Sequence, residues 1–408
     1  MSGKRRFMLN TPLILAALIV VVVLSGALTA CGSTTASSTP SASPTAALSS
    51  SYVASAILLG KNIPAVEDWN TDQLVFDSAS GRLYLADASN YAIDVWDIGA
   101  SKFIAQIPGF AGPSGAAFFN FDKTGPNGLA LDDQGRLWIG DGDGSVKILD
   151  TKTLTVTATI ATGAKNKVDA IAIDSADGVV MVTCPAEGTE TDKQPMVAFI
   201  DPKTLKLTGT TPLTGVVDVG QAVYSPDTGK FYVPVTSNGT TDSTKPAKAG
   251  GLAVIDPKTT QITSTIPLGK MVPSGAAFGP GTQLCVGTAT EGFQGEVATS
   301  TFHPVIVDVA TGKILASLAE PSLKGRGIDG VAYDSGAKRY FLADQSPTYG
   351  EAGSIWVYDA AALTPEMGEP LSTVGVGDAH MLTVDPANHH LFVPVNLKGL
   401  VVYVPSSQ

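Results

Sequence analysis

Six apolar runs in this chain close on an aspartate. AIDVWD ends at Asp97, SVKILD at Asp150, MVAFID at Asp201, LAVID at Asp256, VIVD at Asp308 and SIWVYD at Asp359. After most of them come a short turn and an alternating stretch, as in FIAQIPG, VTATIATG and ITSTIPLG. Ahead of each stand two short strand-like runs around a Gly or Asn turn, as in LVFDSASGRLYLAD and GVAYDSGAKRYFLAD. Period-two alternation broken by such turns is a hairpin signature. The unit is four strands, a to d, and it recurs every forty to fifty-five residues or so. Four-stranded units at that period predict an all-β chain folded as a β-propeller. Counting strand a predicts seven blades. The aspartate that ends strand c has a structural role, because its carboxylate caps the next turn by accepting from backbone amides two residues on.

The seventh unit stops at GLVVYVPSSQ, with strands a to c and no d. VASAILLG, at 53–60, has the form of the d strand ITSTIPLG at 262–269. It is expected to lie with Val53–Leu59 alongside Leu400–Tyr403 and to close the last blade. Closure removes an edge that could template aggregation. One propeller over 52–408 therefore fits better than two domains.

The first residues read as an address. Lys4, Arg5 and Arg6 precede the aliphatic run Leu13 to Leu24, the signature of a signal peptide over 1–30. Leu28-Thr29-Ala30-Cys31 resembles a bacterial lipobox, which implies lipid on Cys31 and an extracytoplasmic protein held at the membrane. Residues 31–51 are Ser, Thr, Ala and Pro with almost nothing to bury, a tether by composition. The net charge is −11, and about −14 once the three basic leader residues are gone. So acidic a chain, with no Lys/Arg stripe, argues against nucleic acid as a partner. An unknown small molecule, glycan or protein is the expected ligand, and the protein is expected to be a monomer. Cys184 and Cys285 fall in different units without a CxxC neighbour. They are expected as buried thiols.

GGLAVIDPKTTQITSTIPLGKMVPSGAAFGPG resembles the YVTN-type (YncE-like) propeller repeat. The resemblance runs from Tyr52 to Pro405. The naming tetrad is degenerate here, as Tyr84-Leu85-Ala86-Asp87 and Trp138-Ile139-Gly140-Asp141. That family implies a fold and no single reaction.

Strand a begins beside the central channel, on the face shared by the d–a and b–c loops. The position five before the strand-a aspartate gives Asp72, Asn127, Asp169, Gly220, Ser274, Asp329 and His380. These side chains are expected to converge at the channel mouth. They could hold a cation such as Ca2+, which wants several oxygen ligands. Equally, they could be a solvated rim that caps loop amides. Lys165, Lys167, Lys270, Lys324 and Arg326 sit in loops of the same face and could neutralise the acids. The long b–c loops of blades three to six place Phe293, Phe302, His303 and Tyr349 as candidate contacts.

PNGLALDDQGRLWIGD is similar to a strand pair of the gluconolactonase (SMP-30-like) propellers. That likeness implies Asn127 and Asp329, with Asp169 nearby, as divalent-metal ligands of a hydrolase or lactonase. The departures are that this family has six blades, and that Glu67 is out of register with its first-blade glutamate. Asp141-Gly142-Asp143-Gly144 lacks the EF-hand glutamate and reads as a type I′ hairpin turn. His389-His390 reads as solvent-exposed in an a–b turn of the opposite face. No catalytic residue is assigned.

Overall fold

The computed structural model describes residues 52–58, 71–112, 123–185, 194–238, 248–269, 271–289, 303–318, 327–344, 354–363, 371–372, 379–395 and 399–406. The chain divides into units 1–46 and 47–408, and all described residues belong to the second. Cys31 and the leader, and the candidate contacts Phe293, Phe302 and Tyr349, lie outside the described residues.

Seven antiparallel sheets make seven blades, all-β and without an α-helix among the described residues. Their strands a are Thr71–Asp77, Leu129–Leu131, Ala170–Asp174, Val223–Ser225, Val272–Phe278, Ile328–Asp334 and Thr383–Asp385. Blade 7 continues with His390–Val395 and Gly399–Pro405, and its fourth strand is Tyr52–Leu58. The register sets Tyr52 against Pro405, Val53 against Val404, Ile57 against Val401 and Leu58 against Leu400. The two ends of the chain thus share one sheet, as the missing d strand required. Tyr52 stands where the other blades have their c–d turn. The chain therefore enters the ring on the face opposite the d–a and b–c loops.

The turns repeat because their chemistry repeats. Asp97, Asp150, Asp201, Asp256, Asp308 and Asp359 each accept from backbone amides two or three residues on, for instance Lys152 N and Thr153 N on Asp150. Backbone bonds from Leu154, Leu205, Thr260, Gly312 and Leu363 to the aspartate carbonyl close the same turns. Immediately beyond, a β-bulge kinks strand d, two of its residues opposing one of strand c, in blades 1 to 5. In three blades a threonine of strand d bonds the carbonyl at the bulge: Thr157 to Ile148, Thr208 to Phe199 and Thr263 to Val254. A bulge leaves one backbone group out of the ladder, and the hydroxyl supplies a partner.

Blade 4 departs from the pattern. Its strand a is broken into Val216–Val219 and Val223–Ser225, and both pieces pair with Lys230–Asn238. The break falls at Gly220, where an added Cβ would sit 2.2 Å from the Ser274 carbonyl oxygen of blade 5.

Packing between blades forms the core. Trp96, Trp138 and Trp356 are buried, and each such large side chain contributes roughly 1.5–3 kcal/mol by leaving water. The seams beside blade 7 are aromatic. Tyr52 meets Phe341 of blade 6 edge to face at 5.3 Å, and Phe392 lies 5.4 Å from Phe76 of blade 1. Cys184 and Cys285 are buried and not joined in a disulfide, as expected.

Two turn readings need correction. Only Gly144 has positive φ in the 141–144 turn, whereas type I′ requires it at both central residues. Gly144 N bonds Asp141 O and Ser145 O accepts from Asp141 N, so a left-handed glycine closes the hairpin. Asp141 is wholly buried, its carboxylate taking the Ala111 and Gly142 amides and the Lys147 ammonium. His389 does occupy the a–b turn, but it is half-buried and its Nδ1 lies 2.9 Å from the buried Asp334 carboxylate.

Candidate binding site at the channel mouth

Strand a of each blade lines the channel, so two successive residues per blade build two layers of one site. The deeper layer follows the rim position by one residue: Gln73, Gly128, Ala170, Gln221, Gly275, Gly330 and Met381. Three are long and four are small. The three glycines lie where the next blade's backbone comes close. A Cβ on Gly275 would lie 1.6 Å from the Asp329 carbonyl oxygen, and Gly128 and Gly330 are similarly crowded by blades 3 and 7. The long side chains span the bore. Gln73 donates to the Asp169 carbonyl at 3.1 Å and accepts from Leu129 N at 3.0 Å, joining blades 1, 2 and 3. Gln221 reaches from blade 4 to the Met381 sulfur of blade 7 at 3.2 Å. The mouth is thereby a cup with a floor.

The rim layer carries the charge. Asp329 of blade 6 accepts from Ser274 Oγ of blade 5, and its other oxygen lies 2.8 Å from His380 Nε2 of blade 7. Asp169 pairs with Lys167 at 2.9 Å. Asp72 of blade 1 feels Asp169, Asp329, His380 and Lys167. Burial first, then the Asp169 charge, raise its carboxyl to about 6. For His380, burial opposes protonation, but the bond and charge of Asp329, helped by Asp72, outweigh it and lift the imidazole to about 9. The sequence-derived rim thus brings Asp72, Asp169, Ser274, Asp329 and His380 together. Asn127 is buried in its own loop, its amide donating to the Thr124 carbonyl at 2.8 Å. Gly220 adds only backbone. His303 is part-buried, with Nδ1 finding no partner among the described residues.

One acid escapes a reading of the repeat. Asp218 sits two residues before the rim position of blade 4, on the extra strand piece. Its carboxylate is open to water yet ringed by protein. Loss of bulk solvation first, then Asp169 and Asp329, raise its pKa. No count from the strand-a end could find it, because the break at Gly220 shifts the register.

Chemically the cup offers four carboxylates against two cations, Lys167 and His380, among the described residues. A Ser/His nucleophile is not assembled here. The Ser274 hydroxyl is spent on Asp329, and a protonated His380 cannot accept a proton. Among the described residues no three His, Cys, Asp or Glu side chains form a group that could hold a metal ion. Fold and site together define a seven-bladed β-propeller with a floored, net-acidic channel mouth. No protein-family model matches the sequence, and none of the curated proteins matches it.

Proposed function

We propose that this protein is a binding module of the YVTN (YncE-like) kind, lipid-anchored through Cys31 on the extracytoplasmic side of a membrane. The proposed ligand is a polar organic cation, an ammonium or guanidinium group on a small molecule or an exposed side chain. The observation that supports this most is the convergence of Asp72, Asp169, Asp218 and Asp329 from four blades onto one cup. Their mutual repulsion is the field that a cation relieves. Separated carboxylates with donors between them suit an extended organic cation better than a compact metal ion, which wants its oxygens on one centre. The chain enters the ring on the opposite face, beside Pro405.

Calorimetric titration of the protein with alkylammonium, guanidinium, Ca2+ and uncharged sugars tests the proposal. Binding of the organic cations, weakened about tenfold or more by Asp329→Asn, is the expected result. Binding of sugars alone would discard the cation reading. Lactone hydrolysis that needs a divalent metal and vanishes in Asp329→Ala would replace binding with the hydrolase that Asn127, Asp169 and Asp329 suggest by resemblance.

A further inference from the structure

The polar groups of the cup are not equally spent. Its amide and hydroxyl donors are engaged. Gln73 donates to the Asp169 carbonyl, Asn127 to the Thr124 carbonyl and Ser274 to the Asp329 carboxylate. The two cations lie against carboxylates, Lys167 at Asp169 and His380 at Asp329. What stays open, among the described residues, is a set of acceptors. The Asp72 carboxylate takes no hydrogen bond among them. Asp218 uses one oxygen, accepting from the Val219 amide at 3.0 Å, and keeps the other for the cup.

A third open acceptor lies on the floor. Of the two floor amides, Gln73 is used at both ends, donating through Nε2 and accepting at Oε1 from the Leu129 amide. Gln221 is used at one end only. Its Nε2 lies 3.2 Å from the Met381 sulfur, while its backbone amide donates to the Ser274 carbonyl at 3.0 Å. A thioether can accept but not donate, so the amide meets it with nitrogen. Turned over, it would set oxygen against sulfur. Oε1 is thereby left without a partner among the described residues, on a side chain that is only partly buried. Asp218, Gly220 and Gln221 follow one another along blade 4. Gly220 has no room for a Cβ beside the Ser274 carbonyl, so no side chain stands between the two acceptors.

Open acceptors hold a cation through its N–H bonds as well as through its charge. A quaternary ammonium has no N–H, and sites that take one surround it with aromatic faces. No residue of the rim or floor layer is aromatic.

We propose that the cup reads N–H groups and not charge alone, with Gln221 Oε1 as the specificity-determining acceptor at its floor. The ligand enters head first, as a primary ammonium or a guanidinium. Its charge lies among the carboxylates, and one N–H is donated to Gln221. This rests on the cation reading of the cup and adds which cations it admits.

Calorimetric titration with methylammonium, guanidinium and tetramethylammonium, at one pH and one ionic strength, tests the assignment. The first two should bind about tenfold or more tighter than the third. That comparison needs no variant to fold. Gln221→Met keeps the length of the side chain and removes the oxygen. It should weaken methylammonium and guanidinium about tenfold and leave tetramethylammonium unchanged, so the preference disappears. Gln221→Glu retains an acceptor there and should keep the preference. Tetramethylammonium binding as tightly as methylammonium, or a preference that survives in Gln221→Met, would overturn the role of Gln221 while the cup remained a cation site. Binding of none of the three would overturn both.

Discussion

Asp329 and His380 face each other across the mouth at 2.8 Å, one from each of two adjoining blades. The carboxylate holds the imidazole protonated against the penalty of burial. Proton NMR should show His380 titrating near 9 in the wild type. In Asp329→Asn the midpoint should fall to the ordinary value of about 6.5 or lower, because burial then acts with less opposition. A wild-type midpoint near that ordinary value would mean that the pair does not form in solution.

Asp72 bears the opposite strain. Its carboxyl is raised to about 6, so the folded state takes up a proton there before the unfolded chain does. Stability at this site is therefore lower above that pH and recovers as the pH falls toward about 4. Asp72→Asn should stabilise the protein by about 1–2 kcal/mol at neutral pH, with the gain vanishing near pH 4. Urea melts at both values check it. The same variant should weaken cation binding, and wild-type binding should fall as pH drops through about 6.

Gly275 is small because blade 6 leaves no room. Gly275→Ala must push Asp329 or the whole strand, at a cost of about 1–3 kcal/mol or more. It should also displace the carboxylate that His380 and Ser274 share, so thermal melting and cation affinity should fall together. A stable variant with intact affinity would contradict the close approach of blades 5 and 6.

What sequence can reveal follows from what repeats. Every blade solves the same turn problem with the same aspartate, so Asp97 through Asp359 announce the period. Counting back five residues from the position that an aspartate holds at the end of strand a in most blades finds Asp72, Asp169, Ser274, Asp329 and His380, because that distance fixes depth in the channel. Counting fails where geometry is local. Asp218 depends on a broken strand, and Asn127 is drawn into its own loop. The floor made by Gln73, Gln221 and Met381 arises from reach across the bore, which no single repeat encodes. His389 reads as exposed because its partner Asp334 lies fifty-five residues away.

Everything built on the rim depends on the chain's two ends sharing a blade. Val53 and Val404 are antiparallel partners, and such partners stand about 4.5–5.5 Å apart at Cα, within disulfide reach. Val53→Cys with Val404→Cys, oxidised in dilute solution, should give a monomer with an intramolecular bridge and a raised melting temperature. Cys184 and Cys285 are buried and, with Cys31 replaced by Ser, should not compete. A product that stays reduced, or that links only between molecules, would show that the ring does not close through residues 52–58.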